Sequence, residues 1–352
     1  MADTIDQLIA IDLGNGTTSY IAGADQVKGS FASLVAEAKS TQGLGTAFSR
    51  EAVKTKGGSF YVGDDCREDG AATRSTDSSF YSSTTIRVLL LKVLKDVGVK
   101  NPFIVTGLPT EFFDTHRTEF ADNIKRWALE EGIQPAKVLI LPQYVGPWFD
   151  PNLLDSSGNQ IDSKILMTGK IGIIDIGQGT IDNGQLHFGK VSEHRYGESK
   201  GVSDIHKKLF TQLSKPEDLN QLLVAKARLP KDFRLDGQTN EYTMDTWLRA
   251  GFIPWRGQKL DIAPISLPAR SDYANDVLPR CITKVWGSTD FLDGMICAGG
   301  GSQVLGKDLL GKFIHAPMFM AEDPSESIVR GFYRFAVSQY FKDHAKLRST
   351  RA

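Results

Sequence analysis

Two short stretches of this chain repeat one arrangement of groups able to grip an anion. The first reads Leu8-Ile9-Ala10-Ile11-Asp12-Leu13-Gly14-Asn15-Gly16-Thr17-Thr18. The second, almost midway along, reads Ile171-Gly172-Ile173-Ile174-Asp175-Ile176-Gly177-Gln178-Gly179-Thr180-Ile181. Each is a short apolar run, then Asp, then Gly-x-Gly-Thr, then a second strand-like segment. Glycines in a tight turn let backbone N–H groups approach a phosphate because no Cβ stands in the way. Successive N–H groups then form an anion-binding nest. The hydroxyls of Thr17, Thr18 and Thr180 add donors. Two such turns facing each other would hold a polyphosphate from both sides. Asp12 and Asp175 would sit beside it at the strand ends, repelled by phosphate unless a cation intervened. Mg2+, held largely through water, suits that arrangement. The chemistry would be positioning and charge neutralisation of a transferring γ-phosphate.

A third glycine turn follows an apolar strand at Ile296-Cys297-Ala298-Gly299-Gly300-Gly301-Ser302. Bare backbone there lets a flat ring pack closely, so adenine or ribose is its natural tenant. One Asp-x-Gly-x-Gly-Thr alone reads as an ordinary turn; the pair, with the third turn behind a strand, argues for a site. Gly301 to Lys307 also fits Gly-x4-Gly-Lys, but Asp308 stands where a P-loop places the Ser or Thr that binds Mg2+. The six histidines show no paired metal-ligand spacing.

These turns need strands and helices to hold them. The apolar runs before Asp12 and Asp175 read as buried strands and the glycines as hairpin turns. Between them, the spacing predicts helices over Ser79–Val97 and Phe112–Glu131 and strands over Pro102–Gly107 and Val138–Leu141. Residues 30–78, rich in Ser, Gly and Thr, read as an irregular, loop-rich outlier, and Leu153–Ser163 as a linker. Farther on, helices are predicted over Ser203–Leu213, Pro216–Arg228, Tyr273–Val285 and Ser325–Phe341, with a strand over Asp293–Ala298. The stretch Leu229–Pro268 gives no assignment. The class is α/β in two related halves: residues 1–165, completed by a C-terminal helix at 325–352, and residues 166–324, with an outlying part at about 214–270.

The 352 residues suffice for two domains and a sizeable core. With 41 basic and 42 acidic side chains, net charge is −1, so nucleic acid would be reached through an adaptor or one patch. Cys66, Cys281 and Cys297 are odd in number, without metal-type spacing, and read as reduced thiols. The N-terminus shows no signal-peptide pattern and no apolar run would cross a bilayer, so a cytoplasmic protein without a membrane partner is expected. The basic residues Lys342, Lys346, Arg348 and Arg351 read as a frayed, solvated tail.

The three glycine motifs, in this order and spacing, resemble those of the actin, Hsp70 and sugar-kinase superfamily, over nearly the whole chain. Gly107-Leu108-Pro109-Thr110-Glu111 before a helix, and Tyr196-Gly197-Glu198 leading into Gly201-Val202-Ser203, are similar to the ParM/StbA-type plasmid-segregating branch. The resemblance implies an actin-like ATPase fold, two ribonuclease-H-like domains around a nucleotide cleft. It implies ATP (GTP as the alternative) with Mg2+ and its waters organised by Asp12 and Asp175, and hydrolysis by an attacking water that Gln143 orients. It assigns Gly14, Asn15, Gly16, Thr17, Thr18, Gly177, Gln178, Gly179 and Thr180 to the phosphates, and Gly299, Gly300, Gly301 and Ser302 to the nucleoside. Where many relatives have a basic residue, this chain has Ser19, and Pro142-Gln143-Tyr144 departs from the usual Pro-Glu-Pro. The expected function is a head-to-tail filament that segregates plasmid DNA through a centromere-binding adaptor. The alternatives are a non-polymerising regulatory ATPase and a small-molecule kinase, with Asp182 as the candidate base.

Overall fold

The computed structural model describes residues 5–38, 50–66, 78–237 and 239–349. The first glycine hairpin is β1 (Leu8–Leu13) and β2 (Thr17–Ala22), followed by β3 (Val27–Ala32). Residues 30–78 are not wholly irregular: β4 (Val35–Glu37), β5 (Val53–Thr55) and β6 (Gly58–Val62) pair as a small antiparallel sheet. Strands of three to five residues are too short to leave a periodic signal, yet they bury Leu34, Ala36, Tyr61 and Cys66 together. Residues 39–49 and 67–77 of that stretch lie outside the described residues.

α1 (Thr84–Val97) begins at Ser83, whose hydroxyl accepts the Ile86 N–H, and stops at Gly98 with φ +72°. The predicted helix began earlier, at Ser79. The serines before the cap favour turn geometry, and Ser78–Ser82 is a 3-10 turn. β7 (Phe103–Leu108), α2 (Thr110–Glu130) and β8 (Lys137–Pro142) follow, giving sheet order β3-β2-β1-β7-β8. A 3-10 helix, Gln143–Phe149, then leads to the second half.

There α3 (Ser163–Thr168) precedes the second glycine hairpin, β9 (Lys170–Ile176) and β10 (Ile181–His187), and then β11 (Lys190–Glu198). The predicted linker is a closed turn: Leu153 is buried against Ile171 and Ile173, and Leu154 bridges to Met320. α4 (Ser203–Ser214) is followed by a 3-10 turn at Pro216–Asp218 and α5 (Gln221–Ala227). The single helix read over Pro216–Arg228 is thus broken, because Asn220 caps α5 by accepting the Leu222 N–H. The unassigned stretch holds α6 (Glu241–Ala250) and a hairpin of β12 (Phe252–Trp255) and β13 (Gln258–Asp261). α7 (Ala263–Val285) starts ten residues before the predicted Tyr273. Pro268 sits inside it, tolerated because Ile265, Ala269, Tyr273 and Val277 are buried against the core.

β14 (Gly294–Ala298), α8 (Gly300–Leu305), α9 (Lys307–Leu310) and β15 (Met318–Phe319) complete a second sheet of order β11-β10-β9-β14-β15. Each sheet therefore joins an antiparallel hairpin to parallel strands in the same order. α10 (Ser327–Ser349) returns to the first sheet, burying Ile328, Val329, Phe332 and Ala336 against Leu8, Ala10 and Val105. Its backbone stays helical through Ser349, so most of the tail read as frayed continues the helix; Arg351 lies outside the described residues.

The chain crosses between the halves at Gln143–Phe149 and again at the start of α10. The crossings touch backbone to backbone, since a Cβ on Gly331 would collide with the Gly146 carbonyl. Arg330 clamps them, donating to both Asp150 oxygens (2.9 and 2.7 Å) and to the Asp323 carbonyl (2.8 Å). Ser327 Oγ donates to Asp150 Oδ2 at 2.6 Å. Asp150 is buried, and a bidentate pair with a hydroxyl donor offsets its loss of water.

Candidate functional site

The turns of both hairpins and the start of α8 meet at one cleft of about 450 Å3. Asp12 faces Ser19 across the first ladder and Asp175 faces Asp182 across the second, so both aspartates end equivalent strands. Gly14, Asn15, Gly16 and Thr17 line the cleft from one side, Gly177, Gln178, Gly179 and Thr180 from the other, and Gly299, Gly300 and Gly301 from a third. Gly16 is required by proximity as much as by the turn: a Cβ there would stand 2.8 Å from Gln178 Cβ of the facing hairpin. Gly299 has φ +78°, and a Cβ on it would run into Asp175 Oδ1 and the Ile176 carbonyl. The second turn is anchored by α4, whose first N–H groups donate from Val202 to Gly177 O and from Ser203 to Gln178 O.

Asp12, Asp175 and Gln143 also line the cleft. Gln143 Nε2 donates to Asp12 Oδ1 at 3.2 Å. Burial pushes the Asp12 carboxyl up to about 7, the Gln143 bond opposing it. Asp175 is raised well above the carboxylate range, by burial first and then by the charges of Asp182 and Asp12. Its Oδ1 is buried with no hydrogen-bond partner among the described residues. Two water-poor carboxylates, one with an orphaned oxygen, beside two glycine nests form a donor set that fits a hydrated divalent cation shared with phosphate. No cluster of three or more His, Cys, Asp or Glu able to hold a metal by itself occurs among the described residues.

Two sequence-assigned residues lie outside the lining. Thr18 is wholly buried with its hydroxyl 2.9 Å from Ser33 Oγ, and Ser302 Oγ donates to Ala298 O at 2.6 Å. Side chains alternate along a strand, so Thr17 facing the cleft turns Thr18 away. Asp182, the candidate kinase base, also faces elsewhere. It is buried, accepts from Thr110 N (2.5 Å) and Thr180 Oγ1 (3.0 Å), and is raised to about 6, chiefly by burial.

The sequence reading missed a wall of the cleft formed by α6, which presents Tyr242, Asp245, Thr246 and Arg249. Their i, i+3, i+4, i+7 spacing, behind an Asn240/Thr243 capping box, is the signal that could have found them. Phe31, Asp64, Tyr81 and Ser325 also line the cleft unforeseen. The three cysteines are buried and free. Among the described residues, no helix is long and apolar enough to cross a membrane.

Residues 10–133 match the family model described as the actin-like proteins N-terminal domain. Among solved structures, a non-polymerisable quadruple mutant of pCBH ParM is similar at 18% identity, over 94% of this chain and 99% of that one, with TM-score 0.66. A ParM from Clostridium botulinum, in a 15-stranded filament, is similar at 20% identity over the same shares, TM-score 0.66. The archaeal actin homologue Ta0583 is similar at 18% identity, again over 94% and 99%, TM-score 0.66. The complex of Ta0583 with ADP aligns with TM-score 0.63. No curated protein sequence matches the chain.

Proposed function

Starting from an actin-like fold, which this chain has, we propose that it is a Mg-ATP-binding ATPase that assembles head-to-tail into filaments. The observation that carries this reading is the single cleft bounded by two equivalent Asp-x-Gly-x-Gly-Thr hairpins and a third glycine turn, with buried Asp12 and Asp175 between them. The hairpin N–H groups and the Thr17 hydroxyl bind the phosphates, while the Thr180 hydroxyl, donating to Asp182, holds its own turn in shape. The backbone at 299–301 and the wall of α6 hold the nucleoside. When bound, Mg2+ neutralises phosphate charge, and Asp12 and Asp175 are the residues that would hold it through its waters. Gln143, steadied by its bond to Asp12, keeps its carbonyl oxygen to orient an attacking water.

Filament formation is supported by the fold shared with a ParM that forms filaments. Heterologous contacts of one chain with the next generate open polymers. Nucleotide state would bias the cleft, and so those contacts, by its differential affinity for open and closed forms. We extend the reading to plasmid DNA segregation through a centromere-binding adaptor, in the cytoplasm, where the net charge of −1 suits indirect contact with DNA. The kinase reading is weaker, since both oxygens of Asp182 already accept hydrogen bonds.

Right-angle light scattering of the purified chain on adding Mg-ATP, with Mg-ADP as control and phosphate release followed in parallel, tests the proposal. A rise with ATP that decays as phosphate appears supports a dynamic filament. Hydrolysis with flat scattering across micromolar protein overturns polymerisation, and no hydrolysis overturns the ATPase.

A further inference from the structure

One side chain ties the phosphate end of the cleft to its far wall. His206, on α4, is fully buried. Its Nδ1 lies 3.0 Å from Gln178 Nε2, and its Nε2 faces Asp245 Oδ1 at 3.5 Å. Asp245 in turn accepts from Arg249 Nε with both oxygens, at 3.1 and 3.0 Å. At each end of this chain stands a glycine of the cleft. Gln178 packs over Gly16 of the facing hairpin, and Arg249 Nη2 stands 3.2 Å from where a Cβ of Gly300 would be.

The chemistry sets the imidazole's direction. Nε2 faces a carboxylate, which only accepts, so Nε2 carries the proton of the neutral ring. Nδ1 is then the acceptor, and it meets the Gln178 amide as a donor. With one proton on the ring, moving it to Nδ1 would set the Nε2 lone pair against the Asp245 carboxylate. The line from Gln178 to Arg249 is thus one hydrogen bond, one charge contact of 3.5 Å at which Nε2 makes no closer hydrogen bond among the described residues, and one ion pair; in a buried setting such a line holds its members in register.

We propose that His206 is a positioning residue that couples Gln178, on the phosphate hairpin, to Arg249, on the nucleoside wall, so that the two ends of a nucleotide are gripped together. The inference rests on the nucleotide reading of this cleft. Filling the phosphate turn fixes Gln178, and through His206 and Asp245 presents Arg249 beside Gly300. A ligand lacking either end engages one arm and gains nothing from the other.

The test is a set of double-mutant cycles on the full chain, reading the Kd of a fluorescent ADP. In the unaltered background, Gln178→Ala and Arg249→Ala combined should depart from the product of their separate effects by about fivefold. His206→Asn keeps an acceptor near Nδ1 and loses the arm to Asp245. His206→Gln keeps a donor near Nε2 and loses the arm to Gln178. In either background the departure should fall below about twofold. Competition by tripolyphosphate, which has no nucleoside, should be within about twofold of normal for His206→Asn while fluorescent ADP weakens, a split that general loosening would not produce. If the His206 variants do not fold, Asp245→Ala on the cleft rim removes the acceptor between His206 and Arg249 and should abolish the departure. Multiplicative effects in the unaltered background, or a departure that survives these substitutions, overturn the coupling alone. No saturable binding of ADP by the unaltered chain overturns the nucleotide reading and this inference with it.

Discussion

In the first glycine hairpin the turn is fastened to neighbouring backbone of its own half. Ser33 Oγ donates to Gly14 O at 2.6 Å and meets the Thr18 hydroxyl, while Ser33 N donates to Gly16 O. In the second hairpin the turn carbonyls are likewise held within their own half, by Val202 N and Ser203 N, but side chains of the hairpin reach outward. Asp182 accepts from Thr110 N at the start of α2, in the other half of the chain, and from Thr180. Gln178 meets both His206 and the backbone of Gly16. Arg195 with Asp114, and Ser199 with Glu111, add further contacts from β11 and its end to α2. One backbone motif thus serves as a shelf in one half and as a junction in the other. Side chains at the variable position and beyond the turn, rather than the glycines, decide which.

The comparison can be broken most sharply at the two aspartates. Asp175→Ala should lower phosphate release from Mg-ATP by about 10^3-fold, and Asp12→Ala by about 10^2-fold, since Asp175 alone carries the orphaned oxygen. Equal losses would remove the asymmetry. Next, Asp182→Ala should cost about 2–3 kcal/mol in urea unfolding, because a buried N–H and a hydroxyl lose their acceptor. Ser33→Ala, confined to one half, should cost about 1 kcal/mol. A smaller difference is expected from the glycines. A Cβ on Gly14 would stand 2.8 Å from Thr17 O, against 3.2 Å from Thr180 O for Gly177. Gly14→Ala should therefore destabilise by about 2 kcal/mol and Gly177→Ala by about 1 kcal/mol.

The mildest effect is that of pH on the nucleotide-free chain. Asp12 rises from 3.8 to about 7 on folding and Asp182 from 3.8 to about 6, both chiefly through burial, and Asp175 moves the same way. The folded state then binds more protons than the unfolded one, so their contribution to stability falls as pH rises from about 4 to about 7. Melting followed by circular dichroism should show that decline, and Asp12→Asn should flatten its upper part. By the same linkage, affinity for Mg-nucleotide, which needs the carboxylates ionised, should weaken as pH drops below about 7, as an equilibrium titration would read.

Much of the site was legible because the repeat is local. An apolar run, an Asp and two spaced glycines specify strand, turn and nest within a dozen residues, and both copies fold that way. The wall supplied by α6 was not legible. Pro and Gly punctuate its surroundings, and Tyr242, Asp245, Thr246 and Arg249 gain meaning only once α6 lies beside the turns. Thr18 and Ser302 lie outside the lining for a related reason. Their types suit phosphate or ribose, but strand alternation and the turn into α8 aim their hydroxyls inward. The start of α7 was misplaced because burial of Ile265 and Ala269 outweighs the local cost of Pro268.

What the sequence by itself determined is the pair of hairpins, the third glycine turn and the α/β alternation that carries them. These depend on side-chain volume, backbone freedom and period, which act over a few residues. Only the tertiary structure decided that Gly16 lies against Gln178, that Asp182 reaches Thr110, and that His206 stands between Gln178 and Asp245. Those contacts join residues up to 162 positions apart, as Gly16 and Gln178 are. Burial and hydrogen-bond satisfaction select them among the whole packed chain, and no local pattern encodes that choice.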